Sequence, residues 1–142
     1  MQIVLDSTRS VYYIISMIIR PRIYIAGPMN PRKGGGVIEY LNNCNRMIDA
    51  ARKLIKLGFA PFCPAVDILY YLGGLIEASP SSDEIKAYSM AWVPACDAML
   101  MMPGWRDSAG AQAEFDFAAP LGMSVYFSIE TLIKDFKIKD KA

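Results

Sequence analysis

The sequence contains no histidine. That single absence removes Ser-His-Asp and Cys-His catalysis, imidazole-ligated metal and imidazole-based pH sensing together. Whatever chemistry the chain performs must rest on carboxylates, tyrosine, lysine or cysteine. Cysteine is scarce as well: Cys44, Cys63 and Cys96 are an odd number, widely spaced and without a CxxC pair. This argues against a disulfide framework or a zinc site and for buried thiols in a reducing compartment. No metal or cofactor is expected. Net charge is nearly absent, with fifteen basic against fourteen acidic residues, so nothing electrostatic points to nucleic acid or an anionic membrane surface. A small anion held by a local site remains open.

Long apolar runs are missing too. Residues 11–19, VYYIISMII, span nine positions where a transmembrane helix needs about 20. The run is preceded by Asp6 and Arg9, and no small-residue cleavage pattern follows it. Val, Ile and Tyr favour a pleated, partly buried surface, so this segment reads as a strand. The protein reads as cytoplasmic.

What is present is enough apolar material for one good core: 142 residues, 54% hydrophobic, fit a single compact domain. Residues 1–21 form an N-terminal extension able to add a strand, and residues 22–142 form the domain itself. IYIAG, residues 23–27, is a short apolar run halted by Gly27-Pro28, the pattern of a strand buried on both faces. A loop rich in Gly and Pro follows, carrying Arg32 and Lys33. Apolar residues at 37, 41, 44, 48, 51 and 55, flanked by Ile38, Met47 and Leu54, repeat with a helical period over residues 37–57, and Gly58 is placed to end that helix in a left-handed cap.

Residues 59–63 read as a short strand. Pro61 cannot donate to a central ladder and therefore assigns this strand to a sheet edge. The long connection at 64–82, with a Gly-Gly and a Ser-Pro-Ser-Ser turn, reads as a lid or ligand-facing segment. Ser82 opens a helix reaching about Ala95, with Asp83 and Glu84 near its positive end and Pro94 distorting its last turn. A buried strand at 98–102, a helix at 109–121, a strand at 123–127 and a helix capped by Ser128 complete the chain. Alternating strands and helices mark an α/β domain with a parallel sheet.

Residues 99–122, MLMMPGWRDSAGAQAEFDFAAPLG, hold the candidate chemistry. A buried strand that ends in a Gly-rich turn and feeds a helix aims unpaired N–H groups into one crevice. Gly104 and Gly110 permit tight backbone geometry, and Ser108 offers a hydroxyl at the helix start, an arrangement that suits phosphate or carboxylate; equally, Asp107 or Ser108 can do no more than cap the helix. Glu114 lies among small and apolar residues, either as a surface acid with a favourable helix-dipole interaction or as a catalytic carboxylate. Tyr24, just before Ala26-Gly27, either orients that carboxylate or fills the core. Trp92 and Trp105 either stack on a base or fill space.

The pattern YIAGPM at residues 24–29, a long helix ending at Gly58, and CDAMLMMPGWRDSAGAQAE at 96–114 followed by Leu121-Gly122 resemble the nucleoside 2-deoxyribosyltransferase-like superfamily. Within it, the chain is most similar to the 2′-deoxynucleoside 5′-phosphate N-hydrolases and to phage and bacterial proteins of unassigned function. The resemblance covers residues 22–128. It implies a flavodoxin-like, Rossmann-like three-layer α/β fold with a mostly parallel sheet, order 2-1-3-4 plus a further strand, for which residues 11–19 are the candidate. It also implies Glu114 as a nucleophile at C1′ of a deoxyribose, Tyr24 as the group that orients it, and Gly27 as the point where backbone approaches the sugar. Ser108 stands where the nucleotide hydrolases carry a phosphate-binding serine and the nucleoside transferases carry an acid. A nucleoside 5′-monophosphate substrate follows, with Arg32, Lys33 or Arg106 as extra charge partners.

One position departs from the pattern. Ser89 stands where the relatives carry an aspartate that assists the departing base; Asp83 or Asp107 can substitute, though the motif places neither, so Asp107 is expected as catalytic beside Glu114 and Tyr24, and Ser89 as substrate-binding with Gly27, Ser108, Gly110, Arg106 and Ser128. The resemblance further implies a homodimer or higher homo-oligomer in which a neighbouring subunit contributes a residue near Ser128. Three functions are therefore expected in order: a nucleotide N-glycosidase, a nucleotide-binding or sensing protein without turnover, and a base-exchanging deoxyribosyltransferase. A phosphoribohydrolase of the cytokinin-activating type ranks lower, because the chain lacks that turn's paired glycines and threonine.

Overall fold

A computed structural model describes residues 7–70 and 78–136. The chain has a flavodoxin-like α/β fold, an all-parallel four-stranded sheet flanked by helices. The strands are β1 (Arg22–Ala26), β2 (Ala60–Phe62), β3 (Ala98–Met101) and β4 (Ser124–Tyr126), in the order β2-β1-β3-β4. The helices are α1 (Ser7–Ile18), α2 (Val37–Lys56), α3 (Ser82–Trp92), α4 (Ala109–Ala118) and α5 (Ile129–Phe136). No helix among the described residues is long and apolar enough to cross a membrane.

The period of two in β1 divides the core. Ile23 and Ile25 point to a layer built with α2 and α5, whereas Tyr24 and Ala26 point to one built with α4 and the turn after α3. Both faces are covered, which is why β1 and β3 read as unbroken apolar runs. At the sheet edge, β2 accommodates Pro61 opposite Ile23, as the missing N–H requires.

Three expectations need correction. Residues 11–19 are not a strand: α1 runs through them to Ile18, and the described sheet has four strands with no further one. β-branched residues lose only a few tenths of a kcal/mol in a helix, and a helix closes its own hydrogen bonds where a strand needs an edge to pair with. Arg20, just past α1, ties this end to α2 by donating to the carbonyls of Ile55 and Phe59, both at 3.3 Å.

The buried face of α2 is also rotated from the expected stripe. Asn43, Cys44, Met47, Ala50, Ala51 and Leu54 face inward, whereas Val37, Ile38, Leu41 and Ile55 are exposed. Its end is as expected: Gly58 has φ +91°, and the N–H groups of Gly58 and Phe59 donate to the carbonyls of Ile55 and Leu54 at 3.1 and 3.0 Å, a Schellman closure.

Third, the cap of α3 is Ser81 rather than Ser82. Its hydroxyl accepts from the Glu84 N–H while the Glu84 carboxylate accepts from the Ser81 N–H, a reciprocal capping box. Pro94 shortens α3 as expected, converting Val93–Ala95 into a 3-10 turn. The connection after β2 begins with a 3-10 segment, Pro64–Tyr70; the Gly-Gly part of the expected lid lies outside the described residues.

Candidate active site

The chain leaving β1, β3 and β4 at the carboxyl edge of this sheet lines one cleft of about 1030 Å³. β1 delivers Gly27 to its wall, the turn after β3 delivers Gly104 and Asp107, the first turn of α4 delivers Ser108 and Gly110, and the start of α5 delivers Ser128. Gly27 has a steric reason to be glycine. A Cβ there would stand 2.7 Å from the Cβ of Met102, so the backbone leaving β1 can lie against the strand beside it only without a side chain. Gly104, with φ +83°, turns the chain out of β3.

Two helix starts face this space. Ser108 caps α4, its Oγ accepting from the Ala111 N–H at 3.2 Å, and Ser128 caps α5, its Oγ accepting from the Thr131 N–H at 3.2 Å. The Ser108 hydroxyl has accepted one bond and keeps donor capacity, whereas the Ser128 hydroxyl also shares a bond with Thr131 Oγ1 at 2.9 Å; the first-turn N–H groups of both helices have no partner within their helix. The positive ends of both helices favour an anion in the cleft.

Glu114 lines the cleft and accepts a hydrogen bond on Oε1 from the Tyr24 hydroxyl at 2.8 Å. Tyr24 is wholly buried. Burial first, and then the charge of Glu114, raises its hydroxyl far above the ordinary range, so it stays protonated and donates. Burial also pushes the Glu114 carboxyl up to about 7; the Tyr24 bond works against that rise and the charge of Asp67 adds to it. The sequence left both residues with two readings, and the fold joins them.

The other expected residues divide. Gly27, Asp107, Ser108, Gly110 and Ser128 line the cleft with Glu114, and Arg32 does too, although its Nε is paired with the Glu39 carboxylate at 2.9 Å. Ser128, which the resemblance would bring in from a neighbouring subunit, lines this chain's own cleft. Arg106 and Lys33 do not line it. The Arg106 guanidinium lies over the ring of Trp105, 5.3 Å from the centroid, and Trp105 packs on Phe115 and Phe127 as a space-filling residue. Ser89 is buried away from the cleft wall, donating to Asp67 Oδ2 at 2.6 Å.

Sequence reasoning passed over three residues, two in the cleft wall and one outside it whose charge reaches Glu114. Asn43 and Arg46, one helical turn apart on α2, both line the cleft. Asn43 donates to the carbonyl of Met29 at 3.2 Å, fixing the loop after β1, and accepts from Arg46. Following the apolar period of α2 hid this polar pair on its flank. Asp67, 7% exposed, is the third. Its signal was available: a lone acid among Ala65, Val66, Ile68 and Leu69. The cysteines are free as expected, and burial raises the Cys63 and Cys96 thiols to about 11, too high for nucleophilic work at neutral pH.

Residues 21–127 match a protein family described as a domain of unknown function, DUF4406. Comparison with curated proteins finds no match.

Proposed function

The chain belongs to the DUF4406 family, and for it we propose an N-glycosidase that hydrolyses the base–sugar bond of a (deoxy)nucleoside 5′-monophosphate with retention of configuration. The observation that carries this reading is the 2.8 Å bond from Tyr24 to Glu114 at the floor of a cleft bounded by two helix starts. One carboxylate oxygen is held by Tyr24, which leaves the other to attack C1′ and form a glycosyl-enzyme ester as the base departs. Water then opens the ester and restores Glu114. The spare donor capacity of Ser108 and the first-turn N–H groups of both helices, with Arg46 in the same cleft, support a 5′-phosphate as the anchoring group.

Incubation with a panel of nucleoside 5′-monophosphates, with chromatographic detection of free base, tests the reading directly. Base release by the wild type that is absent in Glu114→Ala supports it; equal release by both, or none from any substrate, removes it. Adding a second base as acceptor separates hydrolysis from base exchange, since a transferase would make a new nucleotide faster than free sugar phosphate. The same reading carries a homodimer, supported by the exposed apolar side chains Val37, Ile38 and Leu41 at the start of α2. Sedimentation measures it.

A second reading, binding without turnover, is favoured by one observation: Ser89, at the position where the resemblance calls for a base-assisting aspartate, carries no acid, donates to Asp67 and stays out of the cleft wall. It predicts a nucleotide that binds in calorimetry and is recovered intact.

A further inference from the structure

Asn43 is a polar side chain in an apolar place. It lies on the inward face of α2 with Cys44, Met47 and Ala50, and is 5% exposed. Asparagine is a poor helix former, and a buried amide is costly unless its polar atoms are paired. The loop after β1 supplies part of the pairing. Pro28 and Pro31 bracket Met29 and Asn30 and bring no N–H, and among the described residues no backbone N–H bonds the carbonyl of Met29 or of Asn30. Asn43 Nδ2 donates to both, at 3.2 and 3.5 Å. A side chain of the helix thus holds what the loop's own backbone leaves loose.

The other end of the same amide holds a cation. Asn43 Oδ1 accepts from Nη2 of Arg46, and the two residues lie with Glu39 on one cleft-lining stripe of α2. Only this orientation of the amide suits both sides, since a flip would set its oxygen against two carbonyls and its NH2 group against a guanidinium. The neighbouring cations are neutralised: Arg32 is paired with Glu39, and Arg52 with Asp49. Arg46 forms no ion pair among the described residues. Its charge is left for an anion in the cleft, and one donor of its planar fork is already fixed.

We infer that Asn43 is a positioning residue that selects phosphorylated substrates: through its one amide it locks the Arg46 guanidinium and the Met29 and Asn30 wall into a single anchor for the 5′-phosphate. This rests on the reading of the cleft as a nucleotide site. An unrestrained arginine loses rotamer freedom when it binds an anion. Held at Nη2, Arg46 has lost much of it beforehand, and its remaining N–H donors stay available to phosphate oxygens. Both N–H groups of the Asn43 amide are taken by the loop, so Asn43 acts through Arg46 and the loop and gives no donor of its own to the substrate.

A double-variant cycle on Asn43→Ala and Arg46→Ala tests this, read as kcat and KM for the nucleoside 5′-monophosphate that the wild type cleaves fastest and for the same nucleoside without phosphate. Asn43→Ala should lower kcat/KM for the nucleotide about 10–100-fold, the worth of one charge-assisted hydrogen bond. The loss should lie mostly in KM and be smaller for the nucleoside. With Arg46→Ala already in place, adding Asn43→Ala should cost the nucleotide no more than about threefold, because residues acting as a unit are not additive. A loop clamp without a part in phosphate selection would slow nucleotide and nucleoside alike, and its loss would multiply with that of Arg46→Ala. Either result, or an Asn43→Ala value for the nucleotide within about twofold of wild type, overturns the assignment and leaves the glycosidase reading standing. If the wild type releases no base from any nucleotide, the glycosidase reading falls, and the same cycle is run on dissociation constants for ribose 5-phosphate and 2-deoxyribose 5-phosphate by calorimetry. Non-additive loss then supports the assignment; multiplied losses, or a wild type that binds neither sugar phosphate, overturn it. If circular dichroism shows Asn43→Ala unfolded, Asn43→Ser replaces it under the same criteria.

Discussion

The Tyr24 hydroxyl and the Glu114 carboxylate, 90 residues apart in sequence, meet at 2.8 Å inside the sheet–helix layer. Neither side chain has another route to that geometry. Tyr24 is fixed by its place in the central strand β1, and Glu114 by the turn and cap that start α4.

Removing the hydroxyl should therefore move an ionisation as well as a rate. In Tyr24→Phe the bond that lowers the Glu114 pKa is lost, while burial and the charge of Asp67 remain. The carboxyl rises further above about 7, and because the nucleophile must be ionised, the acid limb of kcat/KM against pH shifts to higher pH. A charge-assisted hydrogen bond is worth about 1.5–3 kcal/mol, so activity at neutral pH should drop roughly 10–100-fold. A pH–rate profile of the variant checks both effects.

Glu114 should also cost the fold stability when it is ionised. Its folded value of about 7 exceeds the ordinary 4.5, so between these limits the folded state binds more protons than the unfolded one and stability falls as pH rises. Above pH 7 Glu114→Gln should melt at a higher temperature than wild type; at pH 4 the two should coincide. Thermal melts at the two pH values measure this, and the more stable variant should be inactive.

Substrate choice should follow charge at the start of α4. Ser108→Asp keeps a capping oxygen for the Ala111 N–H but sets an anion against the 5′-phosphate. KM for nucleoside 5′-monophosphates should rise at least about tenfold, the cost of a modest like-charge contact near a surface, with little change for nucleosides. Arg46→Ala should raise the same KM more than it lowers kcat, since Arg46 brings a positive charge to the cleft and bonds Asn43 but has no bond to Tyr24 or Glu114.

Gly27→Ala should act through packing. The added Cβ would stand 2.7 Å from Met102 Cβ, so β1 and the exit from β3 must separate. Overpacking of this kind costs about 1–3 kcal/mol, read as a lowered Tm, and it widens the cleft wall at the same time.

How much of this was legible beforehand depends on whether local pattern or tertiary placement decides. β1 and β3 were legible because burial on both faces leaves nothing polar in them, and Pro61 announced an edge through its missing N–H. Ser108, Gly110 and Glu114 were legible as a strand–turn–helix unit. α1 was misread because its β-branched residues carry a strand signal that only a free sheet edge could have used. The face of α2 was misread because Val37, Ile38 and Leu41, though apolar, are exposed instead of packed against the sheet. Asp67 had no period to betray it: its surroundings, Ser89 and Glu114, are brought near it by two other elements, α3 and α4.

The alternation in β1 has an evolutionary consequence. Tyr24 stands between Ile23 and Ile25, which face the opposite layer, so a slip of one residue would put an isoleucine against Glu114 and a tyrosine into the aliphatic layer. Drift in the sheet therefore cannot detune this pair by degrees while the protein still folds. Descendants that lose the pair should lose it by substitution at Tyr24 or Glu114 themselves, on an otherwise unaltered scaffold that still folds around the same cleft.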